Sequence, residues 1–198
     1  MFARILAAAL VATTPAMHAL AEDAADGPGP NLVIEVAGEA QGRIVIDLLP
    51  DVAPRHVAQI VELTRQGAYD NVVFHRVIEG FMAQTGDVRF GRKGGDLSMA
   101  GMGGSNLPDL PAEFSDISFQ RGIVGMARGM DPDSANSQFF IMFAPGDFLD
   151  GQYTVVGRVI EGMDVVDHIR RGEGANGEVS DPDVMVKVTV ADEAGSGS

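Results

Sequence analysis

The sequence predicts a mainly β domain: an antiparallel barrel closed on itself, with a helix over each open end. Three observations point there. Short β-prone runs recur along most of the chain, several with strict alternation of apolar and polar residues. Only two segments show helical spacing. There is no cysteine, so a packed core rather than a disulfide framework must hold the domain together. Closing the sheet leaves such strands no exposed edge.

The chain opens MFARILAAALVATTPAMHALA. Arg4, the apolar run at 5–12 and the small residues Ala19 and Ala21 read as a secretory signal peptide over residues 1–21, its apolar part too short to span a bilayer. The expectation is an exported, soluble, periplasmic protein. Residues 22–30, EDAADGPGP, read as a disordered linker and residues 193–198 as a flexible tail, which leaves 31–192 as one domain.

Residues 32–36 and 43–49 read as a hairpin turning at 38–42. The second run alternates Ile44, Ile46 and Leu48 against Arg43, Val45 and Asp47. A helix follows at 52–66, with Pro54 in its first turn, Val57, Ile60, Val61 and Thr64 on one face, and Gly67 to close it. Further strands are expected at 72–78, 81–85, 122–127, 138–143, 154–160 and 185–190. The second helix, at 163–171, would bury Val165, Val166 and Ile169 and carry Arg170 and Arg171 where the macrodipole favours cations. Residues 91–111 are too rich in Gly and Pro for regular structure, and so long a loop is usually functional or mobile.

A formal charge of −14 argues against nucleic-acid or anionic-membrane partners. No H-E-x-x-H pair, P-loop, G-x-S-x-G elbow or cysteine nucleophile occurs. Of the histidines, His56 reads as a helix-flank residue, His75 as a strand residue turned away from Arg76, and His168 as belonging to the other helix; no metal site is expected. Chemistry is most concentrated at 73–87, VFHRVIEGFMAQTGD. Strand alternation puts Arg76 on one face with Phe74 and Ile78, a fixed cation among core-type residues; Gly80 breaks the run before Phe81, Met82 and Gln84. Together with the stretches around Gln138 to Met142 and Phe148 to Gly151, this describes an apolar pocket with one arginine and two glutamines, suited to a reaction that breaks no bond.

Five separated motifs, FHRVI at 74–78, GFMAQTGD at 80–87, GMAR at 125–128, SQFFI at 137–141 and FLDG at 148–151, resemble the cyclophilin family of peptidyl-prolyl cis/trans isomerases, in family order from about residue 32 to about residue 190. The resemblance implies an eight-stranded barrel with two capping helices, no cofactor, and an exposed groove in which X-Pro bonds of proline-containing unfolded or extended polypeptides isomerise, in a protein expected to be a monomer. Carried over by motif position, the catalytic residues are Arg76, as the principal one, and Gln84. The substrate-binding residues are Phe81, Met82, Ala127, Arg128, Gln138, Phe140, Phe148, Leu149 and Tyr153. Gln84 is expected to hold the carbonyl of the residue before proline, and Gln138 to orient Arg76 from behind the residues that touch substrate. Phe139 is expected to face the core and its neighbour Phe140 the groove. The chain departs from the best-known eukaryotic members at Arg128 in place of Asn, where the family contact is through the main chain, so that peptide binding should survive. It departs also at Phe148 in place of Trp, whose indole N–H matters for cyclosporin, and at Tyr153 in place of His; together these imply weak cyclosporin binding with catalysis kept. Two rival expectations remain: a module that binds proline segments without turnover, and a barrel carrying a small apolar ligand in a hollow lumen.

Overall fold

The computed structural model describes residues 25–191. The expected signal peptide, the start of the linker and the flexible tail lie outside the described residues. Strands β1 (Asn31–Ala37) and β2 (Gly42–Leu48) form the expected hairpin, Asn31 opposite Asp47 and Val36 opposite Gly42. Its turn begins at Gly38, φ 143°, where a Cβ would lie 2.0 Å from the Asp183 carboxylate, so only glycine fits.

Helix α1 (Pro54–Arg65) carries proline in its first turn but no cap from its own N-terminal side chain. The carboxylate of Glu113, far along the chain, accepts from the backbone N–H of Arg55 and His56 in its place. His56 is fully buried and donates from Nδ1 to the same carboxylate at 2.7 Å, so the expected flank residue is instead an internal strut. The buried face is broader than the apolar spacing indicated: His56, Gln59 and Leu63 join Val57, Ile60 and Thr64, while Val61 is half-buried.

Strands β3 (Val72–Val73), β4 (Arg76–Ile78), β5 (Met82–Thr85), β6 (Ile123–Met126), β7 (Phe139–Met142), β8 (Val155–Glu161) and β9 (Val184–Ala191) complete one antiparallel sheet in the order β3-β9-β1-β2-β8-β6-β7-β5-β4. Nine strands stand where eight were implied, because the run at 72–78 breaks at Phe74 and His75. Its first half pairs with β9 and its second with β5. The sheet is strongly curled but not closed as expected: its two edges, β3 and β4, are consecutive pieces of one stretch and do not pair with each other. The break also resets the alternation: Phe74 joins the main core with Val77, while Arg76 and Ile78 turn the other way.

Helix α2 (Met163–Asp167) is shorter than the predicted 163–171. Asp183, 1 % exposed, captures the backbone N–H of Arg170 at 2.6 Å and that of Ala40 at 3.0 Å, which ends the helix and ties it to the β1–β2 turn. Ile169 still reaches the core.

The main core fills the space inside the curled sheet with Leu32, Ile34, Ile44, Ile46 and Val188, closed over by Val57, Ile60 and Leu63 of α1 and Val165 and Val166 of α2. That packing removes the hollow-carrier expectation. From β4 to β8 each strand alternates: Val77, Ala83, Val124, Ile141 and Val156 face the main core, whereas Ile78, Met82, Ile123, Met142 and Val155 form a second cluster on the opposite face.

Candidate active site

The sheet register sets one row of residues across that opposite face. Arg76 on β4 stands opposite Gln84 on β5, Gln84 opposite Phe140 on β7, and Phe140 opposite Gly125 on β6. Residues directly opposite share a face, so a cation, an amide and an aromatic ring come together from positions distant in sequence. Gly125 completes the row by its lack of a side chain. A Cβ there would lie 2.6 Å from the rings of Phe119 and Phe140, which stack with centroids 5.7 Å apart.

A groove of about 420 Å³ opens over this row. Arg76, Gln84 and Phe140 line it with Phe81 and Met82 from the β4–β5 hairpin and with Ala127 and Arg128 just after β6. Phe148, Leu149, Gln152 and Tyr153, from the turn before β8, close the other side. Phe81 meets Phe148 at 5.5 Å and Phe140 meets Tyr153 edge to face at 5.8 Å, both favourable ring geometries. Met82, Phe140 and Leu149 are nearly buried while Phe148 is 65 % exposed, so the floor is dry and the rim is wet.

Arg76 is held at two points. Its Nε donates to the Asn176 carbonyl at 2.9 Å, and its Nη1 donates to Gln84 Oε1 at 3.1 Å. The Nη2 hydrogens have no partner among the described residues. Half-burial lowers its pKa, opposed by Tyr153, but a guanidinium starts so high that it keeps its charge. Gln84 Nε2 donates to Gln138 Oε1 at 2.9 Å, and Gln138 Nε2 donates to the carbonyls of Gly101 and Gly103 at 2.9 and 2.7 Å. The loop carrying those carbonyls is fixed by Asp87, fully buried, whose carboxylate accepts from the backbone N–H of Arg89, Phe90, Gly101 and Gly103. A chain of hydrogen bonds thus runs from the long Gly-rich loop to the arginine.

Gln84 touches Arg76, and Gln138 stands behind it, bearing on Arg76 through Gln84. Gln138 also lies outside the groove, on an adjoining recess of about 420 Å³ shared with Gln84, Ala127, Arg128 and the loop. His75 is buried against Gly101 and away from the groove lining. Sequence reasoning missed Gln152 and the Asn176 carbonyl. A main-chain oxygen 100 residues from Arg76 leaves no trace in residue types. Among the described residues no group of three His, Asp or Glu converges as metal ligands would.

A family model described as cyclophilin type peptidyl-prolyl cis-trans isomerase/CLD matches residues 32–190. The chain belongs to the cyclophilin family. Its relatives agree: a Brucella suis protein named "Probable peptidyl-prolyl cis-trans isomerase" is 62 % identical over 152 residues, covering 75 % of this cyclophilin and 78 % of that protein. The Arabidopsis thaliana peptidyl-prolyl cis-trans isomerase CYP57 is 37 % identical over 140 residues, 70 % of this chain but 26 % of that longer protein. Among solved structures, cyclophilin AquaCyp293 from Hirschia baltica superposes with a TM-score of 0.68 at 28 % identity, covering 83 % of this chain and 74 % of that one. A Cryptosporidium parvum cyclophilin, solved in the presence of the dipeptide Ala-Pro, shares the fold with a TM-score of 0.70 at 23 % identity, covering 81 % and 98 % of the two chains. The cyclophilin fold and the peptidyl-prolyl cis-trans isomerase class are therefore those of this chain.

Proposed function

We propose that this cyclophilin accelerates rotation about X-Pro bonds in exported, folding polypeptides, and that Arg76 is the residue that lowers the barrier. Resonance in the planar amide sets that barrier at about 18 to 20 kcal/mol, and uncatalysed X-Pro isomerisation takes tens to hundreds of seconds. As the bond twists, the prolyl nitrogen regains its lone pair and becomes a hydrogen-bond acceptor. A guanidinium beside it bonds the twisted state and scarcely touches the planar one, and that difference is what accelerates a reaction. The observation that carries this reading is Arg76 itself. It is anchored through Nε and Nη1, its Nη2 hydrogens are unspent among the described residues, and it lines the same groove as Phe140, Met82, Phe81 and Leu149, which suit a proline ring.

A hydrogen bond to a charged group contributes about 1.5 to 3 kcal/mol, or roughly one to two powers of ten in rate. The apolar floor adds to this, since the planar amide is the more charge-separated state and loses more on leaving water. The second N–H of Gln84 remains for the carbonyl of the residue before proline, which fixes one end while the other turns. No ionisation of substrate or enzyme enters the step.

Export rests on residues 1–21, which have the composition of a cleavable leader, followed by a linker at 22–30 and the isomerase domain at 31–192. No helix of the described residues is long and apolar enough to cross a membrane. N-terminal sequencing of the protein recovered from a periplasmic extract tests this, with Glu22 as the expected first residue. The activity is tested by refolding a protein whose slow phase is a proline isomerisation. Acceleration at catalytic amounts of this cyclophilin is expected. Binding of the unfolded chain with an unaltered slow phase would leave a holding module instead.

A further inference from the structure

Arg76 and Arg128 line the groove, and no Asp or Glu lines it with them. Neither guanidinium meets a carboxylate among the described residues. Carbonyls and an amide hold both: Asn176 and Gln84 for the first, Gln152 and Gly129 for the second. Elsewhere Arg121, Arg158, Arg170 and Arg171 each sit on an acidic partner, while Arg92, like the groove pair, is held by carbonyls. In a chain of formal charge −14, the groove thus carries two guanidinium charges with no carboxylate among the described residues of its lining.

Arg128 is fixed in place. Its Nε and Nη2 donate to the Gln152 carbonyl at 3.3 and 3.0 Å, its Nη1 donates to the Gly129 carbonyl at 2.9 Å, and its guanidinium carbon lies 4.4 Å from the centroid of the Tyr153 ring. Like Gln84, it lines both the groove and the adjoining recess, so it stands on the ridge between them. Asp109 also lines the recess, where its carboxylate accepts from Asn136 Nδ2, and does not reach the groove. The proposed catalysis sets the residue before proline at Gln84, and Gln84 and Arg128 line both the groove and the recess, which brings Arg128 within reach of that residue's side chain. Repulsion from the acidic surface as a whole is screened beyond about 8 Å at physiological ionic strength, so the nearby cation decides.

We propose that the Arg128 side chain is a specificity-determining residue, a fixed cation that favours X-Pro bonds preceded by a carboxylate side chain and disfavours those preceded by an ammonium. The proposal rests on the isomerase reading above. The test is cis/trans exchange measured by NMR on three end-capped peptides, acetyl-Ala-Xaa-Pro-Phe-amide with Glu, Gln or Lys as Xaa, at about 0.1 M and about 1 M salt. At the lower salt the full-length protein should catalyse the Glu peptide about fivefold faster than the Lys peptide in kcat/KM, with Gln between them, as two half-exposed charge contacts allow. High salt should shrink that ratio towards one, Arg128→Gln should abolish it, and Arg128→Lys should restore its direction. Equal rates for Glu and Lys in the wild type, or a ratio that survives Arg128→Gln at low salt, would overturn the assignment while leaving the isomerase intact. A wild type inert towards all three peptides would instead remove the isomerase reading and this one with it.

Discussion

The two faces of strands β4 to β8 are built from similar residues and differ in what is left unpaired. On the inner face Val77, Ala83, Val124, Ile141 and Phe139 pack to near-zero exposure, and Phe139 meets Tyr69 edge to face at 5.8 Å. Its polar groups are spent internally: the Tyr69 hydroxyl donates to the Ser137 carbonyl at 2.9 Å, and burial pushes that phenol's pKa well up. On the outer face Phe140 sits one residue from Phe139, yet it shares its row with Gln84 and Arg76, whose Nη2 hydrogens stay uncommitted among the described residues. A satisfied face gives stability. A face with an anchored donor held in reserve gives a site, and in the proposed mechanism its missing partner is the twisted bond.

The adjacent phenylalanines offer the largest test of that contrast. Phe139→Ala should cost about 3 to 5 kcal/mol in urea denaturation, the usual range for a buried ring, while the folded fraction keeps its kcat/KM. Phe140→Ala should lower kcat/KM at least tenfold and cost less stability, since part of its surroundings is the open groove. Equal effects on both quantities from the two variants would erase the distinction between faces. Next in size is Gln84→Leu, which leaves Arg76 Nη1 and Gln138 Oε1 without partners. With unmet hydrogen bonds at about 1 to 3 kcal/mol, kcat should fall about tenfold and KM change less, and Gln138→Leu should show a weaker form of the same split. A Gln138→Leu effect larger than that of Gln84→Leu would contradict the order of the relay.

The smallest expected effect concerns stability alone. Burial pushes the Glu113 carboxylate up, but hydrogen bonds from the His56 ring and from the backbone N–H of His56 and Arg55 outweigh it and hold the pKa below the usual range. A depressed carboxylate contributes stability that is complete above its unfolded value of about 4.3 and fades as pH falls through the lower folded value. Glu113→Gln should therefore lower Tm at neutral pH and converge on the wild type in acid, with the isomerase rate of the folded protein unmoved.

Much of this was legible beforehand, for reasons that particular residues make plain. The alternation at Ile44, Ile46 and Leu48 and the helical spacing at Val57 and Ile60 placed the hairpin and the first helix from sequence, although β2 is buried on both faces, Val45 and Asp47 included, rather than on one. The break in the 72–78 run could not, because Phe74 and His75 are acceptable strand residues and the bend comes from pairing with β9 on one side and β5 on the other. Nor could the end of α2, which is set by Asp183 across the fold. Within the site, Arg76, Gln84 and Phe140 stood out as residues, but their row exists only once the register is known. The hydrogen-bond order from Arg76 through Gln84 to Gln138 is likewise a fact of three dimensions, as is the ridge on which Arg128 stands.

The most direct measurement is kcat/KM for X-Pro exchange with Arg76 replaced by Ala, compared with wild type, alongside binding of a proline peptide to both. A loss of about ten- to a hundredfold in rate is expected, with peptide affinity changed far less, because in the proposed mechanism the guanidinium acts on the twisted bond. A variant that keeps its rate, or one that loses rate only in proportion to binding, would contradict it.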